Sequence, residues 1–321
     1  MNISPKKRPV WLVTGGRGFL GSEVCKKLHS KDIQVISLDS KSPDPNVPWD
    51  EITLKLTDEN VKELANFNFD GIIHLAALKS VHESILHPEM YHANNVEMSV
   101  ALLNYAKERE VRSFIFISSA AVYKSSSEKI SETYELDPLS PYGLSKAVFE
   151  GEIEAWDSPF PRNILRVRPF NIVGVNSSGD LSDSVITKTL YAIRDIETFT
   201  EFQNSKELGE VQASPVRDFI DVADVAEIIS RLVFKCDSEY FDSRLVLNAC
   251  TGTGHSVREI IIKSEKASGG ILNRISKAAD PREIFISIGS NSILKKLVGE
   301  INFRSVEESI QNEWRVILNE K

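Results

Sequence analysis

Three side chains in the first half of the chain have the types and spacing for proton and hydride chemistry. Tyr142 and Lys146 stand four residues apart in a stretch that reads as a helix from Tyr142 to about Ala155, so they share one face. An ammonium beside a phenol favours the phenolate and lowers the phenol's pKa. A phenol poised that way can take a hydroxyl proton while a nicotinamide takes the hydride. Ser119, at the end of a predicted strand, can hydrogen-bond the same oxygen. Tyr-x-x-x-Lys alone is a weak signal; its weight comes from what precedes it.

What precedes it is Val10 to Gly21, VWLVTGGRGFLG. Val10 to Val13 read as a strand buried on both faces. Gly15, Gly18 and Gly21 then fall in a GxxGxxG turn, and Ser22 to His29 reads as the start of a helix. Such a turn needs glycine where the chain bends sharply, where backbone approaches a pyrophosphate and where helix packs on strand. The helix N-terminus offers N–H groups and a positive dipole end to the phosphates. A second strand, Gln34 to Leu38, ends at Asp39, whose carboxylate is placed to take ribose hydroxyls.

Stepping along the chain, further strands are expected at Ile52 to Leu56, Gly71 to Leu75, Ser113 to Ser118, Asn163 to Val167 and Leu245 to Asn248. Helices are expected near Asp58 to Asn66, Met90 to Glu108, Ser184 to Ile196 and Val222 to Phe234. Strand alternating with helix predicts an α/β fold, a doubly wound parallel (Rossmann) sheet, with a smaller C-terminal substrate-binding domain. Residues 1–171 form the dinucleotide-binding domain in this reading, with segments near 217–250 returning to it. Residues 172–216 and 251–321 form the smaller domain, polar from Thr198 to Gln212 and built of mixed short elements from 251 onward. Ligands of an open parallel sheet sit beyond the strands' carboxyl ends, which singles out Gly15 to Gly21, Asp39, Ala76 to Lys79, Ser118 to Tyr123 and Pro169 to Asn171.

Bulk properties exclude several classes. The 321 residues, 41% hydrophobic and 26% charged, suit a globular protein with a full core. A formal net charge of −8 argues against a nucleic-acid partner, and no stretch approaches the ~20 apolar residues of a membrane span. Lys6, Lys7 and Arg8 read as a solvated N-terminus rather than an address, since the apolar run after them stops at the glycines. Cys25, Cys236 and Cys250 are scattered, without metal spacing, as expected of free thiols in the cytoplasm; the histidines show no metal spacing either. His74 reads as a packed histidine, and Phe67, Phe69, Phe114 and Phe116 as core.

Several of these segments resemble a known family. TGGRGFLG, the acid Asp39, SSAAVY (118–123) and PYGLSK (141–146) are marks of extended short-chain dehydrogenase/reductases of the NAD-dependent epimerase/dehydratase family. Within it the chain looks most like the UDP-glucose 4-epimerases, on HLAALKSVHESILHP (74–88), YHANNV (91–96), LRVRPFNIVG (165–174) and VRDFIDVADVAE (216–227). The likeness runs to about residue 250 and fades beyond it.

The resemblance implies NAD as cofactor, a UDP-sugar as substrate, and C4 epimerisation through a transient 4-keto sugar. Carried over by position, Gly15, Gly18, Phe19, Leu20, Gly21, Asp39, Ser40, Leu56, Leu75, Ala76, Ala77, Lys79, Asn94 and Phe170 meet the dinucleotide, with Lys79 near its phosphates and Phe170 near the nicotinamide. Ser119, Tyr142 and Lys146 form the catalytic triad, the latter two also touching the cofactor. Asn171 and Arg217 hold the substrate diphosphate, and Lys79, Ser119, Ala120, Tyr142 and Arg282 complete the substrate set. Plainer readings stand beside these: Lys79 as a solvated lysine, Arg217 with Asp218 as a surface ion pair, Asn171 as a turn cap. The helices Met90 to Glu108 and Tyr142 to Ala155 are those that pair in relatives, which implies a homodimer.

Departures from the family pattern keep rivals open. Lys55 stands where an acid usually faces adenine, Lys124 replaces a glycine, and Arg282 in DPREIF is the sole trace of the usual Arg-x-Gly-Asp. Arg17 in the glycine loop, with Lys41, points to NADP and hence to an NADPH-dependent 4-keto-sugar reductase, which Asp39 opposes by repelling a 2′-phosphate. A 4,6-dehydratase would carry Asp-Glu where this chain has Ala120-Ala121, and a silent nucleotide-binding regulator would not need Ser119, Tyr142 and Lys146 together.

Overall fold

The computed structural model describes residues 8–203, 214–238, 244–278 and 285–320. Lys6, Lys7, Arg282 and most of the polar 198–212 stretch lie outside them. In chain order the first elements are β1 (Val10–Thr14), α1 (Phe19–Ser30), β2 (Gln34–Asp39), β3 (Asp50–Thr53) and β4 (Gly71–His74). Next come α2 (Val81–Leu86), α3 (Pro88–His92), α4 (Met98–Glu108), β5 (Ser113–Ile117), α5 (Pro141–Glu154), β6 (Asn163–Pro169) and β7 (Asn171–Val173). The chain continues through α6 (Val185–Arg194), β8 (Thr198–Gln203), β9 (Val216–Asp221), α7 (Val222–Ser238) and β10 (Arg244–Ala249). It ends with β11 (Gly254–Ser256), α8 (Val257–Ser268), β12 (Asn273–Ala278), β13 (Ile286–Ser287), α9 (Ser292–Val298) and α10 (Val306–Asn319).

Sequence pattern and local chemistry account for most of these. The apolar runs VWLVT and SFIFI are buried along their whole length as β1 and β5. Ser140 caps α5 by accepting from the Gly143 N–H, with Pro141 at the first helical position, and Ser256 and Ser305 open α8 and α10 with full capping boxes. Four expectations shift. The strand expected over 52–56 runs Asp50–Thr53. The helix expected over 90–108 is divided by a π segment at Ala93–Glu97 into α3 and α4. The helix expected over 58–66 is a short 3₁₀ segment at Val61–Asn66, because Asn60 bonds the Thr57 N–H (2.7 Å) and the Lys55 carbonyl (2.6 Å) and so competes with helical bonding. The C-terminal region beyond 251 holds two long amphipathic helices, α8 and α10, where only short elements were expected.

Seven strands form one sheet in the order β3-β2-β1-β4-β5-β6-β10, and the pairs from β3 through β6 are parallel. This is the doubly wound α/β order, with the topological switch between β1 and β4. Leu12, Ile36 and Ile72 from the strands, with Phe114, Phe116 and Phe149, make its core; Phe69 is buried there and Phe67 packs half-buried against it.

The chain divides into two compact units. The first comprises Met1–Ser119, Ser140–Val167 and Ala226–Val246; the second comprises Ala120–Leu139, Arg168–Val225 and Leu247–Lys321. Against the expected division, residues 120–139, 168–171, 217–225 and 247–250 group with the second unit rather than the first. The reason for 217–225 is pairing: β9 bonds β7, β11 and β13 in a separate sheet. The core of the second unit gathers Val173, Ile186, Leu190, Phe219, Ile260 and Ile310.

Among the polar groups inside that unit, one titrates in the neutral range. Glu313 of α10 is fully buried. Its Oε1 accepts from the Gly174 N–H (2.7 Å) and the Ser182 hydroxyl (3.3 Å), and its Oε2 from the Thr187 hydroxyl (2.6 Å). Burial pushes its carboxyl up to about 7, against the lowering effect of the Thr187, Gly174 and Ser182 hydrogen bonds. The folded chain therefore binds this proton more tightly than the unfolded chain, whose value is 4.5. The stability it contributes is fully present below that value and is lost as pH rises through about 7. Between pH 5 and pH 8 the unfolding free energy of the wild type should fall more than that of Glu313→Gln, by roughly 2 to 3 kcal/mol in urea titrations. Parallel pH profiles for the two proteins would exclude this.

Candidate active site

The glycine turn is built by close packing at the switch point. Gly15 adopts φ +70°, and a Cβ there would lie 2.8 Å from the Ala76 nitrogen. A Cβ on Gly21 would fall 2.0 Å from the Gly15 carbonyl oxygen. Gly18 occupies the cap position of α1, and no side chain caps that helix, so its head faces the turn as an anion-binding end. Phe19 and Leu20 are its first two residues; Leu56 is buried, and Ser40 is exposed.

Asp39 bridges the turn and the next loop: its carboxylate accepts from the Arg17 N–H (3.0 Å) and the Lys41 N–H (3.1 Å). The Arg17 guanidinium is turned away, donating to the Ser42 carbonyl and lying 3.9 Å from Asp44 and 3.8 Å from Glu51. The Lys41 ammonium donates to the Arg17 carbonyl. Three carboxylates here against two cations suit a neutral ribose diol and oppose a 2′-phosphate.

The loop after β4 is held from both sides. The Leu75 N–H donates to the Thr14 carbonyl (3.2 Å) and the Ala76 N–H to the Thr14 hydroxyl (3.3 Å); Ala77 follows, half-buried. The Asn95 side chain accepts from the Leu78 N–H (2.9 Å) and donates to the Leu78 carbonyl (2.9 Å) and to the Ser145 hydroxyl (3.0 Å). Ser145 in turn donates to the Tyr142 carbonyl. Asn95 thus joins the cofactor loop to the helix that carries Tyr142, a role missed in favour of its neighbour Asn94. Both sit in a π turn, Ala93–Glu97, and the extra residue in that turn decides which asparagine points inward. Asn94 is half-buried. Lys79 is exposed, and its ammonium lies 5.9 Å from the ring of Phe19 at the head of α1.

His74 is a packed histidine: both ring nitrogens are 2.8 Å from hydroxyls, Thr14 and Ser99. Burial, then the charge of Lys146, hold its pKa down to about 3. The three cysteines are buried and free, and burial pushes the thiol of Cys236 up to about 12 and those of Cys25 and Cys250 upward too. Among the described residues no group of three or more His, Cys, Asp or Glu side chains is placed to hold a metal, and no helix is long and apolar enough to cross a membrane.

Ser119 and Tyr142 come together through a hydrogen bond, with one correction to the expected electrostatics. Burial raises the Tyr142 phenol, and its hydrogen bond with Ser119 lowers it. Lys146 shares the helix face but does not set the phenol's titration. Its ammonium donates to the Ile117 carbonyl (2.9 Å), 4.8 Å from the Phe116 ring centroid, and burial holds its own pKa down to about 7 while Glu150 raises it. The neighbouring Ser118 hydroxyl is buried without a partner.

The second unit has its own cavity of about 390 Å³. Asn171 of β7 and Arg217 of β9 both line it, with Ser184, Phe199, Glu201 and Phe202 among their neighbours. Asn171 donates to the Asp218 carbonyl (3.0 Å) rather than capping a turn, and Arg217 donates to the carbonyls of Val216 and Phe285. The surface ion pair of Arg217 with Asp218 does not form: Asp218 is fully buried and accepts from Thr251, Gly252 and Gly289. Burial raises its pKa, and these bonds lower it. Glu201, held by Arg258 at 2.8 Å, went unnoticed because it lies in a run read only as polar sequence. In the same unit Phe170 is buried, its ring centroid 6.4 Å from that of Tyr123, and Ala120 opens a short turn.

The sheet order, the glycine turn and the strand-end carboxylate define a Rossmann-type dinucleotide-binding protein. A model of the NAD dependent epimerase/dehydratase family matches residues 11–241, and the chain belongs to that family. It is 30% identical to a UDP-glucose 4-epimerase of Caenorhabditis elegans over 291 residues, 80% of this chain and 83% of that one. It is 28% identical to the UDP-glucose 4-epimerase of Bacillus subtilis (strain 168) over 330 residues, 95% of each. A UDP-glucose 4-epimerase from Stenotrophomonas maltophila, solved with bound NAD and formylated UDP-arabinopyranose, superposes with a TM-score of 0.86 at 25% identity, covering 96% of this chain and 97% of that one.

Replacing Asn95 by alanine leaves the Leu78 N–H and carbonyl unpaired, so Asn95→Ala should lose about 1 to 3 kcal/mol of stability in urea unfolding and retain less dinucleotide on purification. Unchanged values of both would remove Asn95 from the site's framework.

Proposed function

We propose that this protein is an NAD-dependent epimerase that inverts C4 of a nucleotide-diphosphate sugar, most simply a UDP-sugar, through a transient 4-keto sugar. The residues fit the cofactor: the head of α1 carries no side-chain cap and rises from a turn in which Gly21 packs on the Gly15 carbonyl, and Asp39 presents a carboxylate at the end of β2. Gly15 to Gly21, Asp39, the Leu75 to Lys79 loop and Lys146 hold the dinucleotide in this reading. When bound, NAD⁺ supplies a hydride acceptor and later the hydride itself. The observation that carries the proposal is the Ser119–Tyr142 hydrogen bond, beyond the carboxyl ends of the same parallel strands that deliver the glycine turn.

Tyr142, as the phenolate with Ser119 donating to its oxygen, takes the C4 hydroxyl proton as the C4–H bond breaks and its electron pair leaves with the hydrogen as hydride; the resulting phenol gives the proton back after the ketone has turned over and the hydride has returned. Lys146 anchors the end of β5 through Ile117 and offers the ribose a cation or a neutral amine near pH 7. In this reading Asn94 and Lys79 complete the cofactor contacts, and Asn171 and Arg217 hold the substrate diphosphate. The NADPH-dependent reductase is the weaker reading because Arg17 is engaged by Ser42 and faces Asp44 and Glu51. We place the protein in the cytoplasm on the strength of its free thiols.

Purified protein should carry dinucleotide and interconvert UDP-glucose or UDP-GlcNAc with its 4-epimer without added reductant; a strict demand for stoichiometric NADPH would favour the reductase. Tyr142→Phe should lower kcat by roughly 10²- to 10⁴-fold while retaining dinucleotide. We also propose a homodimer through α3, α4 and α5: Met90 on α3 is 39% exposed and Leu144 on α5 53% exposed, and among the described residues a Cβ at Gly151 would meet nothing within 4 Å. Light scattering should give twice the chain mass, falling to a single mass in Leu144→Lys; a monomeric wild type would end that proposal.

A further inference from the structure

We propose that Glu313, near the end of the chain, is a positioning residue that sets the wall of the substrate cavity in the second unit. This rests on the reading that the cavity takes the nucleoside diphosphate.

Glu313 bonds three points of one segment, Gly174, Ser182 and Thr187. That segment leaves β7, which carries Asn171, and it supplies Asp183, Ser184 and Val185 to the cavity wall. The Thr187 hydroxyl is the hub. It donates to Glu313 and lies 3.1 Å from the Ser182 hydroxyl and 3.3 Å from that of Ser184. Ser184 also caps α6 by accepting from the Thr187 N–H. A shift of the Glu313 carboxylate therefore reaches Ser184 on the cavity wall through one side chain.

The other end of the segment is gripped by the same helix. Gly174 has φ +100°, and a Cβ there would fall 2.6 Å from the Asp221 carboxylate. Asp221 accepts from Ser309 of α10 (2.7 Å) and from Arg304 just before it (3.0 Å). A buried carboxylate is a poor way to pack a helix, since an apolar residue of similar volume would pack without the desolvation cost. What the carboxylate adds is direction: it accepts from a backbone N–H and two hydroxyls at fixed positions and holds the turn between them.

The test is UDP binding by calorimetry on the full chain with its retained dinucleotide, together with steady-state kinetics. Glu313→Ala should weaken UDP roughly tenfold and raise KM for the UDP-sugar similarly, with kcat within about twofold and dinucleotide content unchanged. Glu313→Gln, which can still accept from Gly174 and donate to Thr187, should stay within about threefold of wild type. If Glu313→Ala does not fold, Thr187→Val removes the hub hydroxyl alone and should weaken UDP about threefold. Equal UDP affinity in wild type and these variants overturns the proposal while leaving the cavity reading intact. So does a parallel loss of kcat and dinucleotide, which marks a general structural role. Absence of UDP binding in the wild type overturns the cavity reading and the proposal with it.

Discussion

The approach of backbone to backbone at Gly15, Gly21 and Ala76 is the constraint on which the first unit depends. The helix α1 can start only where it does because Gly21 lies against the Gly15 carbonyl with no room for a methyl group. The loop after β4 comes up against Gly15 from the other side of the switch point. One small contact thereby sets three things: the direction of the α1 dipole, the height of the turn above the sheet, and the position of the loop that carries Lys79. Asp39 then ties the turn to β2 through the Arg17 N–H.

From there, order passes to the chemistry through buried polar groups rather than through apolar packing. Asn95 reaches both the loop at Leu78 and the helix at Ser145, so cofactor loop and catalytic helix share one anchor. Lys146 spends its charge on the Ile117 carbonyl and the Phe116 face, which stiffens the end of β5 beneath Ser119. The phenol's protonation is left to Ser119 and to burial.

The second unit uses buried carboxylates for the same purpose. Asp218 collects the N–H groups of Thr251, Gly252 and Gly289, Asp221 collects Ala223, Arg304 and Ser309, and Glu201 takes Arg258 and Ser214. Each gathers donors from segments distant in sequence, Asp221 also taking the Ala223 N–H beside it. Desolvation works against such groups, which is why the carboxyls of Asp218 and Glu313 are raised. The gain is loops with defined positions in the second unit.

Local patterns determined the sheet, the glycine turn, the strand-end acid and the pairing of Tyr142 with Lys146, because each depends on residues within a few positions of one another: buried runs, helical spacing, turn geometry. The same local logic could place Asn171 and Arg217 at strand ends but not in one cavity, since β7 and β9 meet only by long-range pairing. It could find the Asn-Asn pair at 94–95 but not which asparagine turns inward, because a π turn shifts the phase of the helix. It assigned Lys146 to the phenol on spacing alone, while the direction of its ammonium depends on a carbonyl 29 residues earlier in the chain. Glu313 gave no signal at all: a glutamate on an amphipathic helix reads as solvent-facing until folding sets it against a glycine turn 139 residues away. Element identity is written in neighbouring residues; the partner of a polar side chain is chosen only when distant segments close over it and remove the water.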